Sequence, residues 1–136
     1  MFEAENKERN DLIAAEICGK LQYGLHVRLY NHYSDDIEDE YISYENINDI
    51  YEEFPFEDIS PCLRLMKDMT LEENKKYYST CRIIYEDKPN PATGHNDIKE
   101  IIPTWKSFDY LDSIHVDYRG LIEKGYAFHA RKNMYK

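Results

Sequence analysis

Leu12, Ile13, Ile17 and Leu21 recur at the three- and four-residue spacing of one helix face, with Asn10 or Asp11 placed to cap its start, which predicts an amphipathic helix over residues 11–21. Past Gly24 the period changes. Leu25, Val27 and Leu29 alternate with His26, Arg28 and Tyr30, the period-two pattern of a half-buried strand running to about Tyr33. Residues 34–40 are polar and acidic and read as a turn, with Tyr41-Ile42-Ser43-Tyr44 returning as the second strand. The acids then crown the tip of an antiparallel hairpin. Over 46–54 the periodicity admits two elements: Ile47, Ile50, Tyr51 and Phe54 fit a helix face, whereas the β-like flanks and Pro55 permit an edge strand.

Thr70-Leu71-Glu72-Glu73 has the form of a capping box, in which hydroxyl and carboxylate satisfy the first orphan amides reciprocally, so a helix is predicted from 71 to about 84. Pro89, Pro91 and Gly94 mark residues 86–96 as a long loop, too short to separate two domains. Trp105, Phe108, Leu111 and Ile114 form a helical stripe behind Thr104 or Ser107 as cap. Asp117 is placed to cap a further short helix that Gly125 ends, before a final strand over 126–129. These elements predict a single α+β domain: a small antiparallel sheet packed by three or four helices.

The chain's 136 residues, 42% hydrophobic and 32% charged, suffice for one self-sufficient core. Cys18, Cys62 and Cys81 are odd in number and widely spaced, which argues against a disulfide framework or zinc site and for a reducing cytoplasm. The start, Met1-Phe2-Glu3-Ala4-Glu5, is acidic where a signal peptide is basic, and no apolar run has membrane-spanning length. Neither secretion nor a membrane partner is expected.

Charge sharpens this picture. Between Arg28 and Arg64 stand eleven acidic residues and no lysine or arginine, so that window carries −11 of a net charge of −10 and the rest sums to +1. Acid repels phosphate, which excludes direct nucleic-acid binding through this segment and favours a basic protein surface. The window also holds Tyr41 and Tyr44, side chains of the kind that anchor interfaces. Eleven charges equal those on about 19 Å of duplex DNA, the length of one ordinary strand, which raises a nucleic-acid mimic as an alternative.

Enzyme signatures are sparse. His115-Val116-Asp117-Tyr118-Arg119 offers a carboxylate to orient an imidazole and an arginine to hold an anion, as a small hydrolase or transferase would need. Capping by Asp117 and core packing by Tyr118 account for the same spacing without a substrate. Cys62 and Cys81 lack a low-pKa context, and the run Asp35 to Glu40 lacks the glycine and twelfth-position glutamate of an EF-hand loop. No cofactor fingerprint is present, and the expected cofactor and metal complement is none.

Two stretches, Ile59-Ser60-Pro61-Cys62-Leu63-Arg64-Leu65-Met66-Lys67-Asp68-Met69-Thr70-Leu71-Glu72-Glu73 and His115 through Ala127, carry a family likeness. Together they resemble a family of short uncharacterised proteins from gut-bacterial genomes, prophages and phages. In that family Pro and Leu-Arg precede a Met-Thr-x-Glu-Glu helix start, and Asp-Tyr-Arg-Gly-Leu-Ile-x-Lys-Gly lies near the C-terminus. Ser60 and Leu65 depart from it, standing where the pattern has lysine and a second proline. The resemblance implies a phage or mobile-element context and no catalytic residues, and its extended pattern over 46–54 favours the strand there. The expected function is a non-enzymatic, acidic interaction module that binds a basic protein, in the mimic alternative a nucleic-acid-binding one, through Asp35, Asp36, Glu38, Asp39, Glu40, Tyr41 and Tyr44.

Overall fold

Helix α1 spans Phe2–Lys20 and starts well before the cap expected at Asn10 or Asp11. The residues ahead of that cap are mostly strong helix formers with no glycine or proline among them, so nothing stops the helix there. The computed structural model describes residues 2–135; Met1, the first residue of the acidic N-terminal run, and Lys136 lie outside the described residues. Ile13 and Ile17 of α1, with Leu21 in the turn that follows, lie buried on one face as their spacing predicts.

Strand β1, Leu25–Asn31, buries Leu25, Val27 and Leu29 and leaves the alternate residues half-buried. The hairpin differs from expectation. Strand β2 runs Asp36–Ile42, and its register matches Asn31 with Asp36 and Leu25 with Ile42. The turn is confined to the residues between, where Asp35 takes φ 56° and Asn31 Oδ1 accepts the Tyr33 amide at 2.9 Å. The acids therefore line a strand and do not crown its tip.

Residues 46–54 are not a strand: Ile47–Glu53 form helix α2, which turns Ile47 and Ile50 into the core with Phe54 behind them. Asn46 locks its entry, its Oδ1 accepting the Ser43 amide at 2.8 Å and its Nδ2 donating to Tyr41 O at 2.9 Å. The third strand is β3, Ile59–Leu63, antiparallel to β1. Two-residue β6, Phe128–His129, lies parallel to β3, which gives the order β2-β1-β3-β6. The final strand thus exists, shorter than 126–129.

Thr70 and Glu73 form the expected capping box on α3, Leu71–Thr80. That helix stops at Thr80, because β4, Arg82–Tyr85, takes up the remaining residues and pairs with β5, Ile98–Ile102, across the proline-rich loop. Helix α4, Trp105–Ser113, buries Ser107, Leu111 and Asp112; of the expected apolar stripe Leu111 is buried and Ile114 packs on the smaller core, while Phe108 and Trp105 stay exposed, Trp105 at 74%. Ser107 earns its interior place through hydrogen bonds, accepting from the Thr104 amide and the Thr80 hydroxyl at 2.9 Å each. Asp117 caps a turn and not the expected helix, accepting the amides of Leu121 and Ile122 at 2.9 Å each.

The result is a single α+β domain with two hydrophobic clusters, one between α1 and the four-stranded sheet and a smaller one around Met69, Tyr77, Leu111 and Val116. Burying each large aliphatic side chain contributes about 1.5–3 kcal/mol, so the first cluster dominates. Among the described residues no helix is long and apolar enough to cross a membrane.

Candidate functional site

β2 is an edge strand, hydrogen-bonded to β1 alone, and every residue from Asp36 to Tyr41 is exposed. Successive side chains on a strand point to opposite faces, which divides the acidic segment. Asp36, Glu38 and Glu40 share the face of buried Ile42, spaced about 7 Å apart by the pleat. Ile37, Asp39 and Tyr41 occupy the other face, opposite Tyr30, Arg28 and His26 of β1.

The two sets differ in electrostatic state. Asp39 is neutralised within the molecule, its carboxylate 3.4 Å from Arg28 Nε and 3.0 Å from Arg131 Nη2. Asp35, in the turn, accepts a hydrogen bond from the Tyr30 hydroxyl and keeps that phenol protonated to higher pH. Tyr41 is 48% exposed and rests against the edge of the His26 ring, and Tyr44 lies beyond the strand, 67% exposed. Among the described residues no ion pair reaches Asp36, Glu38 or Glu40. The seven predicted residues are therefore all at the surface, but three of them form the unneutralised row.

His115, Asp117 and Arg119 do not converge. His115, at φ 63°, directs Nε2 to Gly24 O at 2.8 Å and stacks on Tyr135 with ring centroids 3.7 Å apart. Burial lowers its pKa. Asp117 is spent on its two amides, and Arg119 Nη1 meets Glu16 Oε2 at 2.6 Å. Tyr135 is itself structural: its hydroxyl accepts the His26 amide at 2.8 Å and donates to Cys62 O at 2.6 Å. It bridges β1 and β3 just beyond their last paired residues, Val27 and Pro61.

Sequence reasoning missed a buried ionic network. Glu16 and Lys20, both fully buried on α1, pair with one another; Lys20 Nζ also meets Asp112 Oδ1 of α4 at 2.8 Å, and Arg119 completes the set. Two cations thus meet two carboxylates, joining the two hydrophobic clusters without net charge. None of the four principal cavities is lined by Glu16, Lys20 or Asp112.

The largest cavity, about 700 Å³, lies at the other end of the sheet between α3 and the C-terminal segment. Two ion pairs lie in its wall, Arg64 Nη2 with Glu73 Oε1 at 2.7 Å and His129 Nε2 with Asp68 Oδ2 at 2.6 Å. Arg64 holds the Glu73 carboxyl at about 2, against an ordinary value of 4.5. A lowered carboxylate stabilises the fold fully above its ordinary value and loses that contribution as pH falls through the lowered one. Glu73→Gln is accordingly expected to flatten the stability-against-pH slope between pH 4.5 and 2, read from urea midpoints beside the native chain. An unchanged slope would dismiss this pair as an acid-sensitive element.

Compared with family models, curated proteins and solved structures, the chain matches none.

Proposed function

We propose that this chain is a non-enzymatic, acidic interaction module of phage or mobile-element origin, acting in the cytoplasm on a basic protein. The observation that carries the reading is the row Asp36, Glu38 and Glu40 on an exposed edge strand, without neutralising partners among the described residues. Charge on an edge strand also wards off edge-to-edge aggregation, so the competing account is protective. The two accounts differ in what neutralisation does.

Asp36→Asn, Glu38→Gln and Glu40→Gln together are expected to weaken capture of a basic protein about tenfold or more at 0.15 M salt, each exposed charge contributing up to about 1 kcal/mol. Capture by the native chain should fall with added salt and that by the variant should not. Undiminished capture by a soluble variant sinks the reading, and aggregation of the variant with no lost partner favours edge protection. The even spacing of the three acids also supports a narrower version, a mimic of the nucleic-acid backbone that occupies a DNA-handling protein. Excess duplex DNA should then displace the partner; a partner that DNA leaves in place excludes mimicry alone.

A further inference from the structure

Beside the hairpin turn, the end of β1 and the C-terminal end of α2 enclose a groove of about 540 Å³. Tyr30, Tyr33, Tyr51 and Phe54 supply aromatic walls, and Glu52 and Glu53 add negative charge. Asp58 also lines it. Its side chain is only 10% exposed, and Oδ2 has no hydrogen-bond partner although His32 Nε2 stands 2.8 Å away. His32 is a cation only when protonated, and its side chain is 64% exposed, so it is a replaceable neighbour. The fixed cation nearby is committed elsewhere, Arg9 donating to Ile59 O at 2.9 Å and more weakly to Phe56 O and Ser60 Oγ.

A buried carboxylate oxygen without a donor carries an uncompensated desolvation cost, which a ligand donor would offset. An apolar ligand would leave that cost in place. A planar, weakly hydrated cation suits both the carboxylate and the ring faces, and the guanidinium group combines these properties with paired donors. A metal ion finds less here, since among the described residues no three His, Cys, Asp or Glu side chains gather as a ligand set. We infer that this groove receives an arginine side chain of the basic partner, with Asp58 as its charge contact and the tyrosines stacking on the guanidinium. The inference rests on the proposal that the partner is basic, and it adds a site distinct from the β2 edge.

The test uses the full chain, isotopically labelled for amide NMR and titrated with N-acetyl-arginine amide and its citrulline and lysine counterparts. Shifts should concentrate on residues 30–33, 51–54 and 58, with citrulline binding about tenfold more weakly, as loss of a charge-assisted pair predicts. Lysine should also bind less tightly than arginine. Asp58→Asn is expected to lower arginine affinity about tenfold, and Tyr51→Ala about threefold, the scale of one exposed cation–π contact. Neutralising Asp36, Glu38 and Glu40 should change it less than about twofold, because exposed charges outside the groove are screened.

Citrulline binding as tightly as arginine, or full affinity in a folded Asp58→Asn chain, overturns the proposal. Lysine matching arginine overturns the guanidinium assignment. Should Asp58→Asn fail to fold, full affinity in Tyr51→Ala overturns it instead. Absent arginine binding alongside edge-dependent capture of a basic protein removes the groove alone; arginine binding without edge-dependent capture removes the edge reading alone.

Discussion

Replacing Lys20 with methionine is expected to destabilise the fold by about 3–5 kcal/mol, the usual result of removing one partner from a buried ionic set. The ammonium group is fully buried between Glu16 and Asp112, over the ring of Tyr118 at 4.8 Å. Without it, two buried carboxylates are left with the single guanidinium of Arg119, which pairs with Glu16, not Asp112, and lies over the Tyr118 ring. Methionine fills much of the same volume, so the loss measures charge and not cavity formation. Lys124→Met provides the surface comparison: Lys124 pairs with Glu8 at 3.4 Å, both about half-exposed, and its loss should cost at most about 1 kcal/mol. Urea midpoints of the two variants decide the matter. Equal shifts would show that the interior pair contributes no more than a surface one.

This network shows where the sequence stops being readable. Glu16 and Lys20 fall on the same helical stripe as Ile13 and Ile17, at the four-residue spacing of a salt bridge, so half of the arrangement is present in one heptad. Its other half, Asp112, is 92 residues away, and no local pattern announces a pairing over that distance. Legible elements were those whose signal is local and unopposed: the apolar alternation of β1, the capping box of α3 and the proline-rich loop. At 46–54 two periods fitted equally well, and the contacts of Ile47 and Ile50 with the core decided for helix. At 98–102 the β5 strand depends on pairing with β4, which periodicity in so short a segment does not reveal.

The acidic segment was legible in composition but not in geometry. Acids at 36, 38 and 40 occupy one strand face, and Ile37, Asp39 and Tyr41 the other, so charge on both faces hides the alternation by which strands are recognised. What fixes the strand is pairing with β1, whose own alternation was plain. Site and scaffold are therefore one problem: the exposed row exists because Leu25 to Asn31 holds its partner in register.

Gly24→Ala probes that dependence at the other end of the hairpin, and a loss of about 2–4 kcal/mol is expected. Gly24 has φ 77° and ψ 150°, a conformation in which an L side chain is strained, and an added Cβ would overlap the Tyr41 hydroxyl oxygen. The strain and the clash are separable costs, each about 1–2 kcal/mol. Tyr41→Ala in the same chain should relieve the clash but not the strain, so a double-mutant cycle is expected to show a coupling of at least about 1 kcal/mol. No coupling would mean that Tyr41 moves aside freely. The same variant divides the candidate site. Tyr41 faces away from Asp36, Glu38 and Glu40, so displacing it while the sheet persists leaves the acidic row intact. Below its melting temperature, Gly24→Ala should retain salt-sensitive capture of a basic protein to within about threefold if charge carries binding, the interaction at a screened surface being worth about 1 kcal/mol per pair. Capture abolished with the fold preserved would move the contact to the opposite face, with Tyr41 and not the carboxylate row as its anchor.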